Sequence, residues 1–157
     1  MKPVLQALVV ADRVYRDGET GKSIIVGTFT QITTGVPVIA TANDDEGREV
    51  EFYRGGMKPG SPWAYISLTE VRGRVPLHLR LVDYQTHEAI IQLSFVVECH
   101  NPLITLEFAI PLPELPVPGV GVYGIELTCA DGEPLGAWRI NVVGYSEGTG
   151  QPEEQQP

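Results

Sequence analysis

Residues Pro111–Val143 read PLPELPVPGVGVYGIELTCADGEPLGAWRINVV, and this stretch decides the fold class. Two runs of alternating apolar residues, Val122–Cys129 and Leu135–Val143, flank Ala130-Asp131-Gly132-Glu133-Pro134. Asp-Gly between alternating runs is a strong hairpin signal, because the turn needs residues that tolerate positive φ. Upstream, Pro111, Pro113, Pro116 and Pro118 forbid helix and favour a stiff, extended approach. The stretch predicts a connector followed by a closing hairpin. A period of two places Tyr123, Ile125, Leu127 and Cys129 on the core face of one strand, and Trp138, Ile140 and Val142 on that of the other.

The rest of the chain follows the same grammar. A first strand is expected from about Val4 to Asp12 and a second from Ser23 to Ile32, joined by the polar turn Arg16–Lys22. Both carry apolar residues at both parities, so this hairpin is covered on two sides or sits at a sheet junction. Further strands are expected at Trp63–Val71, Val75–Tyr84, Ala89–Cys99 and Leu103–Ile110, with Ile104, Leu106, Phe108 and Ile110 facing inward. No segment sustains a helical period and no repeat is evident. About eight strands with short turns predict an all-β, two-layer antiparallel β-sandwich, Ig-like or a jelly-roll Greek key. An up-and-down barrel is the alternative. The proline-rich connector favours the sandwich, since it can carry the chain from one sheet to the other.

One domain is expected over residues 1–145, with an inserted hairpin or loop at 36–62. There, Pro37–Ala42 and Arg48–Tyr53 flank the acidic turn Asn43–Gly47, and Gly55–Pro62 reads as a mobile loop. The acidic tail 146–157 has nothing to pack and is expected to be disordered.

A formal charge of −9 on 157 residues argues against nucleic acid and anionic membranes as partners. The densest basic stretch, Arg72–Arg80, holds three arginines spaced as on one solvated sheet face. No segment has the length to span a bilayer. The run Val4–Ala11 suits a first strand better than a signal peptide, so a cytoplasmic protein with reduced thiols is expected. Cys99 and Cys129 both fall on core faces and read as small buried hydrophobes. A Cys99–Cys129 disulfide is the less favoured reading.

Catalytic and metal-binding patterns are weak. His78 points outward on a strand, His87 and His100 lie in turns, and no Gly-x-Ser-x-Gly elbow is present. Cys99 and His100 are adjacent, and strand neighbours point to opposite faces. There is no Cys-x-x-Cys or His-x-x-x-His. Asn43–Gly47 offers oxygen ligands for calcium but lacks the EF-hand pattern, so a solvated turn is the plainer reading. Gly119, Gly121 and Gly124 precede no helix and no phosphate-reaching lysine, and suit close strand packing better than a phosphate cradle. Glu49 with Glu51, or Glu126 with an acid on another strand, are the conceivable carboxylate pairs; a solvated face explains them as well. No cofactor is expected.

Tyr53, Trp63 and Tyr65 cluster around the glycine-proline loop and are the candidate partner-binding residues, as a platform for a sugar or a hot spot for a protein. The plainer alternative has Trp63 capping one end of the core. Gln6–Tyr15, Gly21–Phe29 and the Pro118-Gly119…Tyr123-Gly124-Ile125-Glu126-Leu127 hairpin resemble a family of small uncharacterised bacterial β-sandwich proteins. The resemblance rests on strand residues and turn glycines, implies a single bacterial β-sandwich domain, and carries no catalytic motif. The expected function is a non-enzymatic binding or accessory module for another protein, with homo-oligomerisation through edge strands also open. A carbohydrate- or calcium-binding module is the alternative.

Overall fold

The computed structural model describes residues 2–34, 38–43, 45–54 and 61–144. Within them the protein is all-β and contains no helix, and hence none long and apolar enough to cross a membrane. Eleven strands form: β1 (Val4–Arg16), β2 (Ser23–Thr28), β3 (Gln31–Thr34), β4 (Val38–Asn43), β5 (Glu49–Arg54), β6 (Trp63–Thr69), β7 (Gly73–Asp83), β8 (Glu88–Cys99), β9 (Leu106–Pro111), β10 (Gly121–Cys129) and β11 (Pro134–Gly144). Nine of them build two packed sheets, ordered β2-β1-β6-β9 and β3-β11-β10-β7-β8; β4 and β5 pair only with each other. Residues 55–60 of the loop expected at Gly55–Pro62, and the tail at 146–157, lie outside the described residues.

This is a β-sandwich, with alternation as its cause. Leu77, Leu79 and Leu81 of β7 lie level with Cys129, Leu127 and Ile125 of β10, while Leu127, Ile125 and Tyr123 lie level with Gly136, Trp138 and Ile140 of β11. From the other sheet, Leu8, Val10, Ala64, Ile66 and Leu68 complete a core whose members are at most 8% exposed. Phe95 and Phe108 meet edge to face, with ring centroids 5.8 Å apart, and close the flank between edge strands β8 and β9. The connector after β9 crosses between sheets, plugged by buried Leu112 and Leu115.

The run expected as one strand from Ser23 to Ile32 is two, broken at Phe29-Thr30. Trp138 Nε1 donates to Phe29 O (2.9 Å) and Asn141 N donates to Thr30 O (2.8 Å), pulling the chain from the four-stranded sheet to the five-stranded one. There β3 runs parallel to β11, the exception among the described strand pairs. The apolar residues at both parities were the mark of this junction. The order β11-β10-β7-β8 is that of the G-F-C-C′ strands of immunoglobulin variable-type sheets. Tyr123, near the start of β10, donates its hydroxyl to Gly119 O at 2.9 Å, as in the tyrosine corner of that fold.

β1 runs past the expected Asp12 to Arg16. Val4–Ala11 pair with β6, whereas Ala11–Arg16 pair with β2. Arg16 Nη2 donates to Glu107 O at 3.3 Å. In register, Glu107 lies opposite Ser67, and Ser67 opposite Ala7. A straight strand would carry Arg16 about 30 Å from that point, at ~3.3 Å per residue. The β1–β2 arm therefore folds back over the outer face of its own sheet, which explains why Tyr65 and Ser67, on the face away from the core, are only 8% and 6% exposed. The bend lies where Gly27, at φ 72°, faces Asp12, whose carboxylate occupies the space a Cβ would take. Gly27→Ala should cost about 1–2 kcal/mol from the left-handed backbone alone. The expected readouts are a lower melting temperature and faster amide exchange in residues 12–28 than in β10.

Candidate functional site

Of the three aromatics expected as partner-binding residues, Trp63 and Tyr65 lie two residues apart in β6 and so share one face of that strand. Tyr53 lies in β5 level with Ile39, and its side chain is outside the described residues. Trp63 opens β6 between Ala11 and Pro111, half-buried. Tyr65 lies beneath the folded-back arm. Its hydroxyl donates to the Glu107 carboxylate, and its pKa is raised, first by burial and then by Glu107. Tyr65 is 8% exposed, with the Arg16 guanidinium close enough to act on its hydroxyl.

The polar residues of the five-stranded sheet pair across strands. Arg80 Nη2 donates to Glu126 Oε2 at 3.0 Å, while Arg80 Nε is buried without a hydrogen-bond partner. Glu126 thus meets an arginine rather than a second carboxylate. Within the other pair, Glu49 is exposed and the Glu51 side chain lies outside the described residues. Tyr84 lies over Gly124, where a Cβ would strike its ring, and burial raises its pKa ahead of the Glu126 charge. Close packing is what this glycine permits. His78 Nδ1 lies 2.9 Å from Ser94 Oγ. Among the described residues no three His, Cys, Asp or Glu side chains gather to hold a metal ion.

Both cysteines are free and buried. Burial, then the charges of Asp131 and Glu133, raises the Cys129 thiol, which disfavours the reactive thiolate. Cys99 Sγ donates to Asn101 O at 3.1 Å, while His100 turns outward toward Glu98, with 3.5 Å between His100 Nε2 and Glu98 Oε1. The adjacent Cys-His pair therefore points two ways, as strand geometry requires.

One end of the sandwich gathers the β6–β7, β8–β9 and β10–β11 turns with the N-terminal segment. Glu70 N donates to Pro102 O (3.2 Å), tying the first two turns together, and Lys2 Nζ binds Glu133 Oε1 (2.6 Å), tying the N-terminal segment to the third. The β8–β9 turn is held by Asn101. Asn101 Oδ1 accepts from Leu103 N (3.1 Å) and Asn101 O accepts from Ile104 N (3.1 Å), in the Asx-turn manner of asparagine. On this frame Leu103 is 90% exposed and Ile104 49%. Ile104 was expected inside a strand starting at Leu103; the Asn101 turn instead delays β9 to Leu106 and leaves both side chains in solvent. Asn-Pro before an apolar pair was the available signal, and alternation through Ile104 masked it.

No protein-family model matches the chain, and no curated protein matches it.

Proposed function

We propose that this protein is a non-enzymatic binding module that seats Leu103 and Ile104 in an apolar pocket of a partner protein. The carrying observation is a leucine 90% exposed on a turn already fixed by hydrogen bonds. Single exposed apolar side chains are ordinary on protein surfaces. A preformed turn changes the balance, because little conformational entropy remains to be lost on docking. The β6–β7, β8–β9 and β10–β11 turns also correspond to the end that carries the contact loops of immunoglobulin variable domains. Two free, buried thiols support a reducing, cytoplasmic setting, and the family resemblance supports a bacterial one.

A photo-crosslinking residue placed at position 103 in cells should give an adduct whose partner is then identified and purified. That protein should bind the wild-type chain and lose about thirtyfold or more in affinity to Leu103→Asp. The melting temperature should barely move, since the side chain is in solvent. Equal binding by Leu103→Asp, or no adduct, would reject the site. A melting temperature raised by calcium or a sugar would support the ligand-binding alternative instead.

A further inference from the structure

The solvent side of the β1–β2 arm carries a second apolar surface. Register pairs Tyr15 with Ile24 and Arg13 with Val26, so these four share a face opposite Val14, Arg16, Ser23 and Ile25. Tyr15, Ile24 and Val26 are 54%, 48% and 47% exposed, and β2 is an edge strand. Edge strands are normally blunted by charge, proline or brevity. β9 has Glu107 and Pro111, β8 has Glu88 and Glu98, and β3 is four residues long. β2, with the sequence SIIVGT, contains no charge and no proline.

We propose that β2 pairs antiparallel with β2 of a second copy of this chain, joining two arms into one four-stranded ribbon centred on Ile25. Two observations favour a copy over a foreign strand. First, the pairing is self-complementary, as a two-fold contact requires: Ile24 lies opposite Val26 of the copy, Ile25 opposite Ile25, and no like charges face each other. Second, residues 12–28 hold three acidic and three basic side chains, so the arm is neutral while the entire −9 excess lies elsewhere. Two copies repel over the rest of their surfaces and can approach along the arms.

Sedimentation velocity of the full chain over a micromolar concentration series tests this. The expected species is a dimer of the 17.1 kDa chain with a micromolar dissociation constant. Ile24→Lys and Val26→Glu should each weaken dimerisation about thirtyfold or more, with melting temperatures showing that the exposed sites still fold. Mixing the two variants should restore a dimer, because the register sets position 24 of one chain against position 26 of the other and so brings the introduced ammonium against the introduced carboxylate. A wild-type chain that stays monomeric throughout the series would overturn the proposal. So would a dimer indifferent to Ile24→Lys, or a mixture that remains monomeric.

Discussion

Leu127→Ala is expected to lower the unfolding free energy by about 3 kcal/mol, and the melting temperature by about 10 °C for a chain of this length. Leu127 is fully buried, level with Leu79 on one side and Gly136 on the other. The loss has two sources, the transfer free energy of the missing atoms and the cavity they leave. Relaxation will fill little of that cavity. The space where a Gly136 side chain would stand is already occupied by a Leu5 methyl group, and the Leu79 backbone is fixed by pairing on both edges of β7. Immunoglobulin domains reinforce this part of the sandwich with an inter-sheet disulfide. Here the position two residues after the corner tyrosine is Ile125, and both cysteines are free. Side-chain packing, without a disulfide, holds the sheets together, so a single truncation removes a large share of a marginal total. A loss below about 1 kcal/mol in chemical denaturation would show that the core repacks around the gap.

Much of this core was legible from alternation. Tyr123, Ile125, Leu127, Ile140 and Val142 read as core residues and are at most 2% exposed, because a period of two fixes facing once a strand is recognised. The connector was legible from its prolines. The candidate surfaces were less so, for a physical reason: each depends on a break in regularity. The fold-back of the arm depends on one positive-φ glycine at position 27, and the exposed tip on one asparagine carboxamide at position 101. Neither leaves a periodic trace. The surroundings of Tyr65 leave no such trace either, since Arg16 reaches Glu107 beside it only through tertiary bending.

Tyr123 separates ring from hydroxyl. Tyr123→Ala should cost about 3–5 kcal/mol, the usual range for a buried aromatic, and Tyr123→Phe only about 1 kcal/mol for the Gly119 hydrogen bond. Ring burial outweighs the bond, because Gly119 is partly exposed and its carbonyl can turn to water. The hydroxyl matters in place more than in total. The connector is rich in prolines that donate nothing, and the Tyr123–Gly119 bond anchors its end where it enters β10. Tyr123→Phe should therefore raise amide exchange at Val120 and Val122 more than at Leu127. The same phenol sets a pH limit. Its pKa is raised, first by burial and then by the Asp83 charge. Between the unfolded value of about 10 and the higher folded one, the unfolded chain has released a proton that the folded chain keeps. Stability contributed by this group is complete below pH ~10 and falls above it, by up to about 1.4 kcal/mol per pH unit for each such tyrosine. Tyr65 and Tyr84 are shifted the same way, so the alkaline limb should be steep. Tyr123→Phe, less stable than wild type at neutral pH, should lose stability more slowly above pH ~10, so that the two curves converge. Parallel curves would mean that this hydroxyl is solvated in the folded protein.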